Sequence, residues 1–472
     1  MRYISTRGTA TPVSFTQMLL AGLAPDGGLY LPETYPQLTF DAIGRLAGMS
    51  YQEAAKTILS PFVAGETDSF ALDGMIKAAY AGFRHKTIAP LVQLGPGLFV
   101  LELFHGPTLA FKDLAMQLLA RVIDHALKLH GERATIIGAT SGDTGAAAIE
   151  AFRGLSQVEV FIFYPHGRVS EVQRRQMTAV KAANIHAIAL EGTFDDAQSC
   201  VKKMFNNARL REKLNLCGVN SINLARILFQ TVYYFVSAAA LGAPHRPVTF
   251  VVPSGNFGDI FAGWMAKRMG LPIDKLVIAT NANDILARTL ASGCYELRPV
   301  HATQSPSMDI QVSSNFERLL FEAHGRDASA VRRMMDGLTQ ARRFTVAPKP
   351  LGTIRAEFDA FTATEQETTE AISKCCQETG YLADPHTAVG LSAAWKAMTQ
   401  EKGSVCVLLG TAHPAKFPEA IERATGVRPS LPACLSDLAG REENYTILPN
   451  EQDEIERFIL ARALRGLNRA AS

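Results

Sequence analysis

Short apolar runs separated by helix-length segments dominate the chain from about Leu91 onward. They include Thr135-Ile-Ile-Gly, Val158-Glu-Val-Phe-Ile-Phe, Ile185-His-Ala-Ile-Ala-Leu, Val248-Thr-Phe-Val-Val, Leu276-Val-Ile-Ala-Thr and Ser404-Val-Cys-Val-Leu-Leu. Strands covered on both faces read as continuous apolar runs, so this texture predicts βαβ units. The expected fold is α/β, two lobes of mostly parallel sheet flanked by helices. Up to about Pro90 the pattern is helical, interrupted by loops such as Ala24-Pro-Asp-Gly-Gly and Pro32-Glu-Thr-Tyr-Pro, and predicts a helical N-terminal cap without strands. Between about Gly325 and Lys374, a stretch rich in Arg, Glu, Asp and Thr predicts a helical excursion, again without a strand. The expected division is a cap over 1–90, a first lobe over 91–240 and a second lobe over 241–472.

Composition narrows the class. With 472 residues, 47% hydrophobic and 19% charged, the chain can bury large cores and lacks the signature of disorder. A net charge of +2 is far from the basic excess of an electrostatic nucleic-acid binder, so nucleic acid is not expected as a partner. The seven cysteines are scattered, with no C-x-x-C pair, which fits reduced thiols in a cytoplasmic protein. The N-terminal apolar stretch Met18 to Ala24 leads into Asp26-Gly27-Gly28 rather than a cleavage site, and no secretory signal is read there. The apolar stretch Val232 to Leu241 falls short of the roughly 20 residues that cross a bilayer, so no membrane span is expected.

Two segments share one grammar of strand, tight loop and helix. Thr135-Ile-Ile-Gly runs into Ser141-Gly142-Asp143-Thr144-Gly145 and then Ala146-Ala-Ala-Ile; Thr249-Phe-Val-Val-Pro runs into Ser254-Gly255-Asn256-Phe257-Gly258-Asp259 and then Ile260-Phe-Ala-Gly. Both loops read S-G-x-x-G. Glycines let the backbone approach a ligand, and a helix start supplies unpaired N–H donors, so each loop is a candidate anion cradle. In open α/β sheets, ligands lie beyond the carboxyl ends of the strands, where a site between lobes sees both loops.

A third feature is a lysine on an apolar stripe. After His105-Gly106-Pro107, residues Lys112, Ala115, Met116, Leu119 and Ile123 follow helical spacing on one face, and Asp113, Gln117, Arg121, Asp124 and Lys128 form a polar stripe on another. Burial lowers a lysine's pKa and frees a nucleophilic amine suited to imine chemistry. The alternative is a first-turn lysine that snorkels to solvent along its stem.

The chain resembles the threonine synthases among the pyridoxal phosphate enzymes of the tryptophan synthase β-subunit fold. Seven segments carry the resemblance in family order: Asp26-Gly-Gly-Leu-Tyr-Leu-Pro, Glu102-Leu-Phe-His-Gly-Pro-Thr-Leu-Ala-Phe-Lys112-Asp, Thr140-Ser-Gly-Asp-Thr-Gly-Ala, Asn220-Ser-Ile-Asn, Pro253-Ser-Gly-Asn-Phe-Gly-Asp, Ser307-Met-Asp-Ile and Gly410-Thr-Ala-His-Pro-Ala-Lys-Phe. The resemblance implies that Lys112 bonds pyridoxal 5'-phosphate as a Schiff base and shuttles protons. It implies that Gly255, Asn256, Phe257 and Gly258 hold the cofactor phosphate with Asp259 beginning the helix, and that Thr411 meets the pyridine nitrogen. Ser141, Gly142, Thr144 and Gly145 match the loop that grips the substrate carboxylate. Asp143 stands where the wider fold family often has Asn against the cofactor's phenolic oxygen, and a carboxylate there repels a phenolate unless protonated or bridged. For the substrate's phosphate, Ser221 and Arg226 come first, with Arg168 and Lys416 in reserve. His105, His386 and His413 receive no role.

The implied reaction converts O-phospho-L-homoserine and water into L-threonine and phosphate. The nearest rivals are a dehydratase or β-replacement enzyme of the same fold, which needs no second phosphate site, and a catalytically silent ligand-binding relative. A nicotinamide dehydrogenase lacks its dinucleotide fingerprint here.

Overall fold

The computed structural model describes residues 1–400 and 403–468, so 401–402 and 469–472 of the expected second lobe lie outside the described residues. Two sheets carry the molecule. The larger has six strands in the order Phe358–Thr362, Ile273–Thr280, Val248–Pro253, Val405–Gly410, Leu98–Glu102, Leu91–Gly95. All neighbours are parallel except the last pair, a hairpin. The second sheet has five parallel strands in the order Thr446–Pro449, Ile185–Glu191, Val158–Pro165, Ala134–Ala139, Leu216–Cys217. Five of the six apolar runs noted above lie wholly in these strands, and the sixth does so from Val405 onward. Val248–Pro253 and Val405–Gly410 are buried at every position, as continuous apolar runs require.

Sheet membership cuts across the expected ranges. The hairpin Leu91–Glu102 joins the sheet of the second lobe, whereas Thr446–Pro449 joins the sheet of the first. Two further expectations are corrected. The cap contains the helices Phe15–Ala21, Phe40–Arg45, Tyr51–Val63 and Ser69–Tyr80, but Tyr3–Ser5 also pairs antiparallel with Tyr30–Pro32. Three-residue strands leave too little alternation to register in a sequence pattern. The excursion carries the helices Ala328–Ala341, Pro348–Glu357 and Glu365–Thr379, but also Arg343–Thr345 and the edge strand Phe358–Thr362. The latter, F-D-A-F-T, has only one β-branched residue.

The cap braces the interior. The Tyr80 hydroxyl donates to the Leu114 carbonyl at 3.1 Å on the Lys112 helix, Thr6 Oγ1 donates to Glu317 at 2.6 Å, and Asn223 Nδ2 donates to the Leu19 carbonyl at 2.9 Å. The motif Asp26-Gly-Gly serves this cap: Asp26 accepts from Ser5 Oγ and from the N–H groups of Thr9, Ala10 and Gly28, closing a turn. Among the described residues no helix is long and apolar enough to cross a membrane; Val232 to Ala240 ends the buried helix Leu224–Ala240.

Candidate active site

A hydrogen-bonded seam brings two distant segments together. The N–H of Leu103 donates to Gly410 at 2.9 Å, that of Phe111 to Thr411 at 2.8 Å, and that of His413 to Leu109 at 3.0 Å, with a bridge between Ala110 and Ala412. Leu109 turns the chain with φ +63°, and the helix Lys112–His130 begins three residues later. Lys112 and Thr411 therefore ride on one rigid joint. The Thr411 N–H is 3.3 Å from Thr387 Oγ1, which itself donates to Asp384, and the Thr411 side chain makes no hydrogen bond of its own among the described residues.

Lys112 is buried at the first turn of a helix enclosed on nearly all sides. The expected polar stripe is corrected: Asp113, Gln117 and Asp124 are buried too, because neighbouring helices cover that face. Asp113 accepts from the N–H and hydroxyl of Thr108, both at 2.7 Å, and burial pushes its carboxyl up to about 6. Lys112 Nζ lies 3.5 Å from Asp143 Oδ2 and 4.7 Å from the Phe111 ring centroid. Burial lowers its pKa; Asp143 opposes that, and Lys416 and Arg226 add to it.

Whether Asp143 is protonated or bridged follows from its neighbours. Lys416, with no solvent exposure, donates from Nζ to Asp143 Oδ1 at 2.7 Å and to the Thr108 carbonyl at 2.8 Å. Gln173 Nε2 donates to the same Oδ1 at 2.9 Å. Burial pushes the Asp143 carboxyl up, but Lys416, Lys112 and Gln173 together hold it well below the usual carboxylate range. Asp143 is bridged, not protonated.

The two S-G-x-x-G loops are built differently. In the first, Thr140 Oγ1 accepts from the N–H groups of Gly142 at 3.0 Å and Gly145 at 2.9 Å. Those two donors are spent, and the N–H groups of Ser141, Asp143 and Thr144 remain for a ligand at the start of the helix Asp143–Phe152. Gly142 has φ +145°, and a Cβ there would meet Gln173 at 2.4 Å, so both the backbone and the space demand glycine. In the second loop the carbonyls are tethered outward: Gly255 accepts from Ser313 Oγ at 2.7 Å, and Asn256 accepts from Asn315 N and Nδ2 at 3.1 and 2.9 Å. The N–H groups from Gly255 to Asp259 are thereby left for an anion at the start of the helix Gly258–Arg268. A buried amine, an N–H cradle and an uncommitted hydroxyl fit a phosphate-bearing aldehyde such as pyridoxal phosphate.

Other candidates fall into place or out of it. Asp259 turns away from the cradle: Oδ1 accepts from Tyr233 and Tyr234, Oδ2 is buried without a partner, and burial pushes the carboxyl up to about 6. Asn223 caps its helix by accepting from Ala225 N at 3.1 Å, which sets Arg226 in the first turn. Arg226 is buried, donates from Nη1 to the Val219 carbonyl at 3.1 Å, and keeps Nε unpartnered; burial lowers its pKa to about 10. A buried guanidinium without a carboxylate calls for an anion. Ser221 lies beside Gly258, its Cβ 4.0 Å from where a Gly258 Cβ would stand. Arg168 is exposed, and Lys416 is engaged with Asp143.

His386 is buried, pairs through Nδ1 with Asp384 at 2.8 Å, and accepts at Nε2 from the N–H of Ser307, 3.2 Å away. The Ser307 carbonyl in turn would lie 3.0 Å from a Gly255 Cβ, so His386 buttresses the back of the second loop. Sequence reasoning missed this buttress, the Thr140 anchor and the Lys416 bridge. Thr140 and Lys416 lie inside the seven matching segments, which is the one hint at them, whereas His386 lies outside those segments.

Three family models match the chain: "Threonine synthase N terminus" over residues 2–80, "Pyridoxal-phosphate dependent enzyme" over 85–411 and "Threonine synthase, C-terminal" over 387–459. A threonine synthase of Pseudomonas aeruginosa is 50% identical over 467 residues, covering 99% of each chain. The crystal structure of a PLP-bound threonine synthase from Brucella melitensis superposes with a TM-score of 0.96 at 57% identity, covering 98% of this chain and 99% of that one. The yeast threonine synthase structure superposes with a TM-score of 0.93 at 38% identity, with 98% and 99% covered.

Proposed function

Because the chain belongs to the threonine synthase family, we propose that Lys112 is the lysine that bonds its pyridoxal phosphate and that the two S-G-x-x-G loops divide two anions between them. The enzyme converts O-phospho-L-homoserine and water into L-threonine and phosphate. When bound, the cofactor supplies an electron sink that acidifies the hydrogens on the substrate carbons next to and beyond the amine. The observation that carries the assignment is the buried Lys112 amine held 3.5 Å from an ionised Asp143.

Each residue then has a task. Gly255, Asn256, Phe257 and Gly258 hold the cofactor phosphate through their N–H groups, and Asp259 contributes its N–H while its carboxylate faces two tyrosines. The Thr411 hydroxyl would meet the pyridine nitrogen as a neutral partner, which would not force a proton onto the ring. Ser141 and Thr144 hold the substrate carboxylate by N–H and hydroxyl, and Gly142 and Gly145 give the loop its shape. The buried Lys112 amine, its pKa lowered by desolvation, would accept and return protons on the substrate carbons. Asp143 with Lys416 would present a neutral pair to the cofactor's phenolic oxygen. Arg226 and Ser221 receive the substrate's phosphate, the anion that the unpartnered guanidinium lacks.

The ranges 1–90, 91–240 and 241–472 serve as cap, first lobe with Lys112 and the carboxylate loop, and second lobe with the phosphate loop, with strands exchanged as described. Seven free cysteines fit a reducing compartment such as the cytosol. The test is purified protein with O-phospho-L-homoserine. Threonine and phosphate should appear in equal amounts, and borohydride should fix the cofactor to the peptide carrying Lys112. Release of a 2-oxo acid in place of threonine would assign the chain to the dehydratases instead.

A further inference from the structure

Asp143 is a single carboxylate between two lysines, and the two are not equivalent. Lys416 is fully enclosed, 2.7 Å from Oδ1, with a second acceptor in the Thr108 carbonyl at 2.8 Å. Lys112 is 3.5 Å from Oδ2, has no further acceptor among the described residues, and keeps 11% of its side chain accessible. With both lysines protonated and Asp143 ionised, the trio carries a net charge of +1 away from water. Loss of one proton leaves it neutral, and a buried site favours the neutral state. The lysine with the poorer contacts is the one that gives up the proton.

We propose that Lys416 is a positioning residue for the Lys112 amine: by claiming Asp143 as its own counter-ion, it leaves Lys112 as the lysine that sheds its proton and stands ready to react. This rests on the assignment of Lys112 as the cofactor lysine. The turn Pro414–Lys416 is fixed for the task, because His413 Nδ1 accepts from Ala415 N at 3.2 Å and caps it. The other charged groups facing Lys112 come from separate elements. Arg226, on the helix Leu224–Ala240, pushes in the same direction as Lys416. Asp259, on the helix Gly258–Arg268, acts on Lys112 in the opposite sense when ionised. Asp113, on the lysine's own helix, is turned to Thr108.

The test is the pH dependence of pyridoxal phosphate capture by the full-length chain after hydroxylamine has removed its cofactor, followed by absorbance. The midpoint of that profile reports the pKa of the capturing amine. Lys416→Met removes the charge and hands Asp143 to Lys112, so the midpoint should rise by about one pH unit or more, which lowers the free-amine fraction about tenfold below the midpoint. Asp143→Asn removes the carboxylate and leaves both ammonium groups, so its midpoint should fall. Lys416→Arg keeps the charge and should stay near the parent value.

Opposite shifts in the two neutralising variants support the coupling, since a loss of packing alone slows capture at every pH without moving the midpoint. An unmoved midpoint in Lys416→Met overturns it, and should that variant fail to fold, an unmoved midpoint in Asp143→Asn overturns it equally. Borohydride labelling of a lysine other than Lys112 in the parent chain overturns the underlying assignment instead, and peptide mapping separates the two failures.

Discussion

Thr140→Val tests the idea that the first loop is a substrate cradle held open by its own side chain. The substitution keeps the shape of the residue and deletes one oxygen, which accepts from Gly142 N at 3.0 Å and Gly145 N at 2.9 Å. A net contribution of about 0.5–1.5 kcal/mol per bond puts the pair at about 1–3 kcal/mol. If the loop must be re-formed each time substrate binds, that energy is drawn from binding, and KM for phosphohomoserine should rise by about 5-fold to roughly 150-fold. Cofactor retention should not change, because the second loop hangs on Ser313 and Asn315 instead. Steady-state kinetics gives the first quantity, and absorbance after dialysis gives the second. Thr140→Ser retains the oxygen and loses the methyl group that packs on Gly145, so it should lie close to the parent. Equal losses in Thr140→Val and Thr140→Ser would show that packing, not the anchoring oxygen, sets the loop, and the reasoning would fail.

Arg226→Ala should weaken phosphohomoserine by roughly 1.5–3 kcal/mol, on the order of tenfold to a hundredfold, while binding of a non-phosphorylated amino acid changes little. Equal losses with both ligands, read by spectral titration, would make Arg226 a structural residue. Gly255→Val should strip the cofactor, since even a Cβ there stands 3.0 Å from the Ser307 carbonyl, and retention of full absorbance would refute the phosphate assignment. Asp259 gives a pH test. Its carboxyl is raised to about 6 from an ordinary 3.8, so the folded state favours the protonated form. That stability is present below about pH 4 and is lost as pH rises through 6, up to about 3 kcal/mol. Denaturant unfolding of Asp259→Asn should therefore lack this part of the decline between pH 4 and pH 7, and a parallel decline in both chains would count against it.

The parallel strands were legible because strands covered on both faces are apolar throughout, and Val248–Pro253 or Val405–Gly410 have no alternative reading. Lys112 was legible for the converse reason, a charge among Ala115, Met116 and Leu119. What stayed hidden depends on contacts between distant segments. Nothing local to Lys416 says that its amine ends on Asp143, and nothing local to His386 says that it supports Ser307. The polar stripe of the Lys112 helix misled for a related reason: periodicity reports two faces, but neighbouring helices also bury Asp113, Gln117 and Asp124 and leave only Arg121 and Lys128 of that stripe reaching solvent. Phe358–Thr362 escaped because its place at the sheet edge rests on backbone pairing with Ile273–Thr280, which five weakly patterned residues do not advertise.

The exchange of strands between the two sheets bears on whether the gene can be split. A break near residue 240 would leave the upstream product with the hairpin Leu91–Glu102 cut off from Val405–Gly410, and with Ile185–Glu191 exposed where Thr446–Pro449 had covered it. The downstream product would present the bare edge of Val405–Gly410. Each polypeptide would display unpaired backbone in extended form, the template on which strands of other chains add, so co-expressed halves should precipitate unless they meet during synthesis. Fission of this gene is therefore disfavoured by its topology, and a viable circular permutant would need its new ends in a surface loop that leaves both of these strand pairs intact.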